Sequence, residues 1–381
     1  MKYKLLILVN DLDYFISHRL VIAKKALSKG YKVIVGYGSK TKNYYKELED
    51  LKINFVYVNM RRGGINLIEE LFSIFNIYLL FCREKPDIVH LVTLKPYLYG
   101  GIAARIASVP NVVSAVAGLG SLFSDKGIFP RVILYILKPI LKFAFGHSNQ
   151  IVIFQNLNDK KLLESKKIIK NNNTTLIKGS GVEISRFKPN NKKDSVATVV
   201  LASRLIEEKG ICEFVEAAKK IKIKFKRVNF ILAGAIDKAN PNSISSLKID
   251  NWIKNGVVDL IGFANDIPEL FSRAHIICLP SYYNEGLPRT LQEAAAAGRP
   301  VVTTTNPGCI DGIIHNETGI AVPPKNVDAL VEAIEYLLKN PEIGVKMGKK
   351  GRELAKKYFD QRLIVDQHMK VYEELLEKNN Y

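Results

Sequence analysis

Cysteine is scarce in this chain, acidic residues are outnumbered, and long apolar runs are missing. The four cysteines in 381 residues, Cys82, Cys212, Cys278 and Cys309, lie far apart, with no CxxC pair and no neighbouring histidine. They read as reduced thiols, not as a zinc site or a disulfide framework. The longest apolar stretches are residues 71–82 and 128–146, the second broken by Arg131, Lys138, Pro139 and Lys142. Neither reaches the ~20 residues of a transmembrane helix. Residues 1–10 (MKYKLLILVN) are too short an apolar run for a secretory signal and are followed at once by Asp11 and Asp13, the pattern of a buried first strand. The expected location is cytoplasmic, at most peripheral on the inner face of the cytoplasmic membrane. With 47% apolar residues the chain is not disordered, and its length suits two domains with separate cores.

The shortage of acid leaves a net charge of +19, unevenly spread. Residues 1–185 hold 27 Lys and Arg against 13 Asp and Glu, a net +14; residues 186–381 hold 29 against 24, a net +5. A basic surface suits a polyanionic partner, whether nucleic acid, anionic membrane or phosphorylated substrate. A genome biased towards Lys, Asn and Ile is the bland alternative. Nucleic acid is disfavoured, because the lysines do not alternate with aromatics and no helix-turn-helix or RNA-recognition signature occurs.

Strand-like and helical patterns alternate throughout. Strands are expected at 4–9, 32–36, 54–58, 88–92, 111–116 and 150–154, with helices at 17–29, 67–83 and 131–145. The pattern then restarts, with strands at 196–202, 227–233, 257–260, 276–280 and 300–304 and helices at 211–223, 267–273, 287–297 and 327–339. Such βα alternation means an α/β chain with two doubly wound parallel sheets. The expected domains are 1–182 and 183–360, joined near 178–193, with an amphipathic segment 361–378 that packs back onto the first. In open α/β sheets ligands bind beyond the carboxyl ends of the strands, so two such domains facing across a cleft would present their strand ends to it.

The sharpest feature follows the strand 276–280: residues 282–297, YYNEGLPRTLQEAAAA. Pro288 suits a first helical turn, which puts Glu285 just before the helix and Glu293 two turns inside it. At ~1.5 Å per residue the two carboxylates are about 12 Å apart, enough for one to reach a sugar and the other a ribose across a diphosphate. Amides at Gly286 and Leu287 would meet the phosphates at the helix N-terminus. An ordinary capping Glu plus a solvated Glu explains the same spacing. Two cations, Arg204 and Lys209, stand beyond the strand 196–202. Arg204 suits bidentate pairing with phosphate and Lys209 a point charge on a leaving diphosphate; alternatively they are solvated neighbours of Glu207 and Glu208.

Arg204-x4-Lys209, Gly262-Phe263 and Glu285-x7-Glu293 followed by AAAAGRPVV resemble the retaining glycosyltransferases of family 4, with their two-Rossmann GT-B architecture. The likeness extends through Pro86-Asp87-Ile88-Val89-His90 with Lys95, Gly118-Leu119-Gly120-Ser121, Gly179-Ser180-Gly181-Val182 and the stretch from Gly308-Cys309 to Thr318-Gly319. Within the family it is most like bacterial enzymes that extend polyprenyl-diphosphate-linked glycans for O-antigen, capsule or glycoproteins.

The resemblance implies that Glu285 binds donor-sugar hydroxyls, Glu293 the ribose, Arg204 and Lys209 the diphosphate, and Gly262-Phe263 the base, with Gly286, Leu287 and Pro288 lining the phosphates. A buried aromatic is the other reading of Phe263. No bound metal or other cofactor is implied, so Asp11-Leu12-Asp13 reads as a helix cap and not a metal-binding DxD. Asn10-Asp11 replaces a frequent Gly-Gly loop, and Ala117 stands where many relatives have His. His90 and His18 are the remaining histidine candidates for contact with reacting groups, against ordinary structural roles. The expected function is transfer of a hexose or N-acetylhexosamine from a nucleotide sugar, UDP-linked, to a lipid-linked or other oligosaccharide acceptor. A GT-B nucleotide-sugar epimerase is the enzyme alternative. Arg131, Lys138 and Lys142 would line one helix face able to meet an anionic membrane.

Overall fold

The computed structural model describes residues 3–39, 48, 50–60, 66–123, 128–189, 196–237, 240–264 and 266–378. The chain forms two compact units, Met1–Ser180 with Arg362–Tyr381, and Gly181–Gln361.

The first unit is built on seven parallel strands, β1 (Lys4–Asp11), β2 (Lys32–Ser39), β3 (Ile53–Tyr57), β4 (Ile88–Val92), β5 (Asn111–Val116), β6 (Gln150–Phe154) and β7 (Thr174–Leu176), in the order β3-β2-β1-β4-β5-β6-β7. β4, β5 and β6 are buried at every position, as expected of parallel strands covered on both faces. One face carries α1 (Leu12–His18) and α2 (Leu20–Ser28). The other carries α3 (Leu67–Glu84), α4 (Gly101–Ile106), α5 (Ile128–Ala144) and α6 (Leu157–Ser165). Where a single helix is expected over 17–29, there are two. Asp11 ends β1 and caps α1, accepting from the Asp13 and Tyr14 amides at 2.9 and 3.2 Å, so helix begins directly at the strand end. Arg19, at φ −129°, then breaks it from α2.

The second unit holds β8 (Ala197–Ala202), β9 (Val228–Ala233), β10 (Asp259–Leu260), β11 (Ile276–Leu279), β12 (Val301–Thr304) and β13 (Gly319–Val322), ordered β10-β9-β8-β11-β12-β13. Its helices are α7 (Ile211–Lys224), α8 (Ser246–Lys254), α9 (Ile267–Arg273), α10 (Arg289–Ala296), α11 (Val327–Lys339) and α12 (Pro341–Tyr358). α7, α8 and α11 cover one face, and α9 and α10 the other. Both sheets reverse their strand order beside the first strand of the unit, at β1/β4 and β8/β11. These are the switch points at which open sheets bind ligands.

The last helix, α13 (Gln361–Glu377), buries Ile364, Val365, Met369, Tyr372 and Leu375 in the first unit, against the α1/α2 face. His90 lies beneath it. Its register partner on β1 is Ile7, its ring is fully buried, and its Nδ1 is 2.6 Å from the Tyr372 hydroxyl. This corrects the expectation of a catalytic His90 at a strand end: it sits in mid-strand, closed off from any substrate. The ring of His368 on α13 lies 5.6 Å from that of His90, and the buried Arg19 is close enough to oppose a charge on either. Burial and these neighbours push His368 down to about 3 and His90 well below its usual value.

Both imidazoles are therefore neutral when folded, whereas the unfolded chain takes up protons below about pH 6.5. Their contribution is complete above that pH and declines as pH falls towards the folded value. Urea unfolding at pH 7 and pH 5 should show His368→Gln losing less stability on acidification than the unaltered protein; an equal loss contradicts this account.

Candidate active site

The carboxyl ends of β8 and β11, hydrogen-bonded neighbours in the second sheet, bring Lys209 and Glu285 of the sequence-predicted residues into contact. Beyond β8 the chain makes a 3-10 turn, Glu207–Lys209, before α7. Beyond β11 it crosses residues 280–288 before α10. The Glu208 carbonyl joins the two connections. It accepts from the Tyr282 amide at 2.9 Å, and Ser281 Oγ lies 3.1 Å from both this carbonyl and Glu285 Oε1, sharing its proton between them. Lys209 Nζ is then 2.5 Å from Glu285 Oε1, with side chains only 9% and 17% exposed. Lys209 also lies 5.9 Å from the Tyr283 ring centroid.

Arg204, one turn earlier, is 40% exposed and donates from Nη1 to Asp237 Oδ2 at 2.8 Å. Glu293 is held by Arg289, Nε to Oε1 at 2.7 Å. Burial pushes its carboxyl up against the opposing pull of Arg289 and Arg186. Gly286, Leu287 and Pro288 are buried between the two glutamates. Helix α10 starts at Arg289 and not at 287, because Pro288 keeps an extended ψ of 129° and serves as its N-cap. Gly262 has φ +67°, and its carbonyl accepts from the Gly234 amide at 2.7 Å. Phe263 is 69% exposed, so the buried-aromatic reading fails. His18 belongs to the first unit, stacked 4.3 Å from the Tyr14 ring, and is not among these residues.

Four supporting residues escape a sequence reading. Thr290 Oγ1 donates to the Ala202 carbonyl at 2.8 Å, fastening α10 to the end of β8. Gln292, fully buried, accepts from the Gly181 amide at 3.0 Å and donates to the Leu287 carbonyl at 3.2 Å. Ser281 and Asp237 act as described. Only Ser281, a small polar residue directly after an apolar strand, carries a sequence signal. Among the described residues no group of three or more His, Cys, Asp or Glu could hold a metal ion.

Two glycines permit the close approach. Gly308, at φ +82°, packs where a Cβ would meet the Glu285 carbonyl at 2.5 Å. Gly210, at φ +75°, follows Lys209 where a Cβ would strike the Pro280 carbonyl. Gly210→Ala should therefore destabilise by at least about 1 kcal/mol from left-handed strain alone, visible as a lowered thermal midpoint; an unchanged midpoint contradicts this packing.

Residues 4–156 match the family model "Glycosyl transferase 4-like" and residues 182–354 match "Glycosyl transferases group 1". The chain is 28% identical to the N,N'-diacetylbacillosaminyl-diphospho-undecaprenol alpha-1,3-N-acetylgalactosaminyltransferase of Campylobacter jejuni, over 87% of this chain and 89% of that protein. It is 27% identical to an Escherichia coli UDP-Gal:alpha-D-GlcNAc-diphosphoundecaprenol alpha-1,3-galactosyltransferase over 71% of each. An Anabaena protein solved in complex with UDP superposes with TM-score 0.75 at 18% identity, covering 98% of this chain and all of the other, which places the fold among GT-B structures. With a 4-like domain followed by a group 1 domain on two parallel-sheet units, the chain belongs to this family of glycosyltransferases and is a hexosyltransferase.

Proposed function

We propose that this enzyme transfers a hexose or N-acetylhexosamine from a UDP-sugar to a polyprenyl-diphosphate-linked glycan, retaining the configuration at the anomeric carbon. The observation that carries the reading is the meeting of Lys209 and Glu285 at the β8/β11 switch point, with Arg204 on the same connection and Glu293 one turn inside α10. Relatives whose names specify diphospho-undecaprenol acceptors support the acceptor, and one relative named for UDP-Gal supports the donor. In this reading Glu285 accepts hydrogen bonds from donor-sugar hydroxyls and Glu293 from the ribose, while Phe263 offers an exposed ring beside the base.

The chemistry is front-face substitution. The bond from the anomeric carbon to the diphosphate breaks, the acceptor hydroxyl bonds to that carbon from the same side, and its proton passes to the departing diphosphate oxygen. Lys209 and Arg204 stabilise the charge that develops there. No side chain serves as a covalent nucleophile, and the positive charge is supplied by the protein without a metal.

The acceptor is lipid-linked in this reading, and the first unit offers a surface suited to meet its membrane. Helix α5 exposes Val132, Tyr135, Ile136, Ile140 and Phe143 along with Lys142, and α3 exposes Ile68, Leu71, Phe72 and Phe75. The side chain of Arg131 lies outside the described residues. Apolar side chains interleaved with lysine on a unit of net charge +14 fit an anionic bilayer surface. Among the described residues no helix is long and apolar enough to cross a membrane.

Transfer is measured with UDP-sugars and a polyprenyl-diphosphate-linked N-acetylhexosamine. Lys209→Ala should lose at least about a hundredfold in turnover while the protein still folds, its thermal midpoint lowered because Glu285 loses its buried partner, and the unaltered enzyme should keep its turnover in EDTA. Near-normal turnover of the variant would sink the assignment; loss in EDTA restored by Mg²⁺ would contradict the metal-free chemistry. Liposomes with anionic lipid should sediment the protein and those without should not, and Tyr135→Asp should weaken this attachment. Equal sedimentation of the variant would remove α5 from the interface.

A further inference from the structure

The Arg204 guanidinium touches one acid and leaves most of its donors unused. Its Nη1 donates to Asp237 Oδ2 at 2.8 Å, and it makes no other side-chain hydrogen bond among the described residues. An end-on contact of this kind fixes one corner of the fork and leaves other N–H donors directed elsewhere, in the arrangement that suits bidentate capture of a phosphate. Asp237 is only 12% exposed while Arg204 is 40% exposed, so the acid sits behind and the arginine in front.

The segment that carries Asp237 is fastened to the connection that carries Arg204. The Leu205 amide donates to the Ala235 carbonyl at 3.1 Å, the Ile244 amide to the Leu205 carbonyl at 2.9 Å, and the Glu207 amide to the Asn242 carbonyl at 2.9 Å. Ile206 and Ser243 form an antiparallel bridge. Gly234 brings the start of this segment so close to Ser203 that a Cβ would overlap the Ser203 carbonyl oxygen. Residues 203–207 thus lie along a strap whose one described carboxylate near its start faces Arg204. The pair is open to solvent only on the Arg204 side, and its geometry is accounted for by what it does to Arg204.

We propose that Asp237 is a positioning residue for the donor diphosphate: it holds Arg204 in the conformation that receives the phosphate, so that binding does not have to immobilise a free arginine side chain. This rests on the reading of Arg204 as a diphosphate ligand, and the test separates the two. UDP binding is measured by calorimetry on the unaltered protein, Asp237→Asn, Arg204→Ala and the double variant, with thermal midpoints recorded for each.

Immobilising one long side chain corresponds to about a three- to tenfold change in affinity, so Asp237→Asn should bind UDP more weakly by that factor. In the Arg204→Ala background the same substitution should have no further effect, because the residue acts only through Arg204. Asp237→Glu should recover part of the affinity, and Asp237→Ser replaces the Asn variant if that one fails to fold. Affinity equal to or tighter than that of the unaltered protein, or an undiminished loss in the Arg204→Ala background, overturns the role of Asp237 while leaving the donor site in place. Absence of UDP binding by the unaltered protein overturns the donor reading itself and this inference with it.

Discussion

A lysine and a glutamate, each largely withdrawn from water, stand 2.5 Å apart where two neighbouring parallel strands end. Removing both charges from solvent costs free energy that their attraction only partly returns, so the fold has to hold them there by other means. It does so through the Glu208 carbonyl and Ser281, which tie the two connections together, and through Gly210 and Gly308, where a side chain would drive the backbones apart. Thr290 and Gln292 fix the helix that follows. The buried aliphatic layers on both faces of the second sheet supply the rigid support. A site so built is suited to a ligand carrying both hydroxyls and negative charge, since the hydroxyls can take over the carboxylate and the phosphates the ammonium.

The first unit follows different priorities. Its core is equally buried, closed on one face by α13, whose chain has just left the second unit. Its interior also holds polar groups: His90, His368, Tyr372 and Arg19 are buried in the core. Its outer helices, in contrast, keep large apolar side chains in water, with Tyr135 82% exposed and Leu67 73% exposed. Most of the excess positive charge belongs to this half of the sequence. In the proposed reading the donor phosphates need only a few cations of the nearly balanced half, and the surplus would serve the acceptor side.

Much of this architecture was legible from residues alone. Apolar runs such as β4, β5 and β6 are strands because both their faces are buried, and a sequence shows that directly. Glu285 and Glu293, eight residues apart around a proline and a helix start, marked the candidate site, and the structure sets Glu285 against Lys209. The failures have physical causes. The α1/α2 break arises from capping at Asp11 and a non-helical Arg19, which apolar periodicity does not register. Helices α6, α8 and α12 have no counterpart among the elements read from sequence, since each is polar enough for its burial to depend on its neighbours. His90 was a candidate through the resemblance alone, whereas its burial is decided by a helix 282 residues further along the chain. Asp237 was invisible for the same reason: its partner is a matter of how two loops are stitched together.

The central claim is that the carboxyl ends of β8 and β11 receive the diphosphate of the donor. A crystal structure of the protein with UDP tests it most directly. The account predicts phosphate oxygens within hydrogen-bonding distance of Lys209 Nζ and the Arg204 guanidinium, with the ribose at Glu293. A UDP molecule seated at the strand ends of the first unit, with Lys209 and Glu285 still paired and untouched, would contradict it.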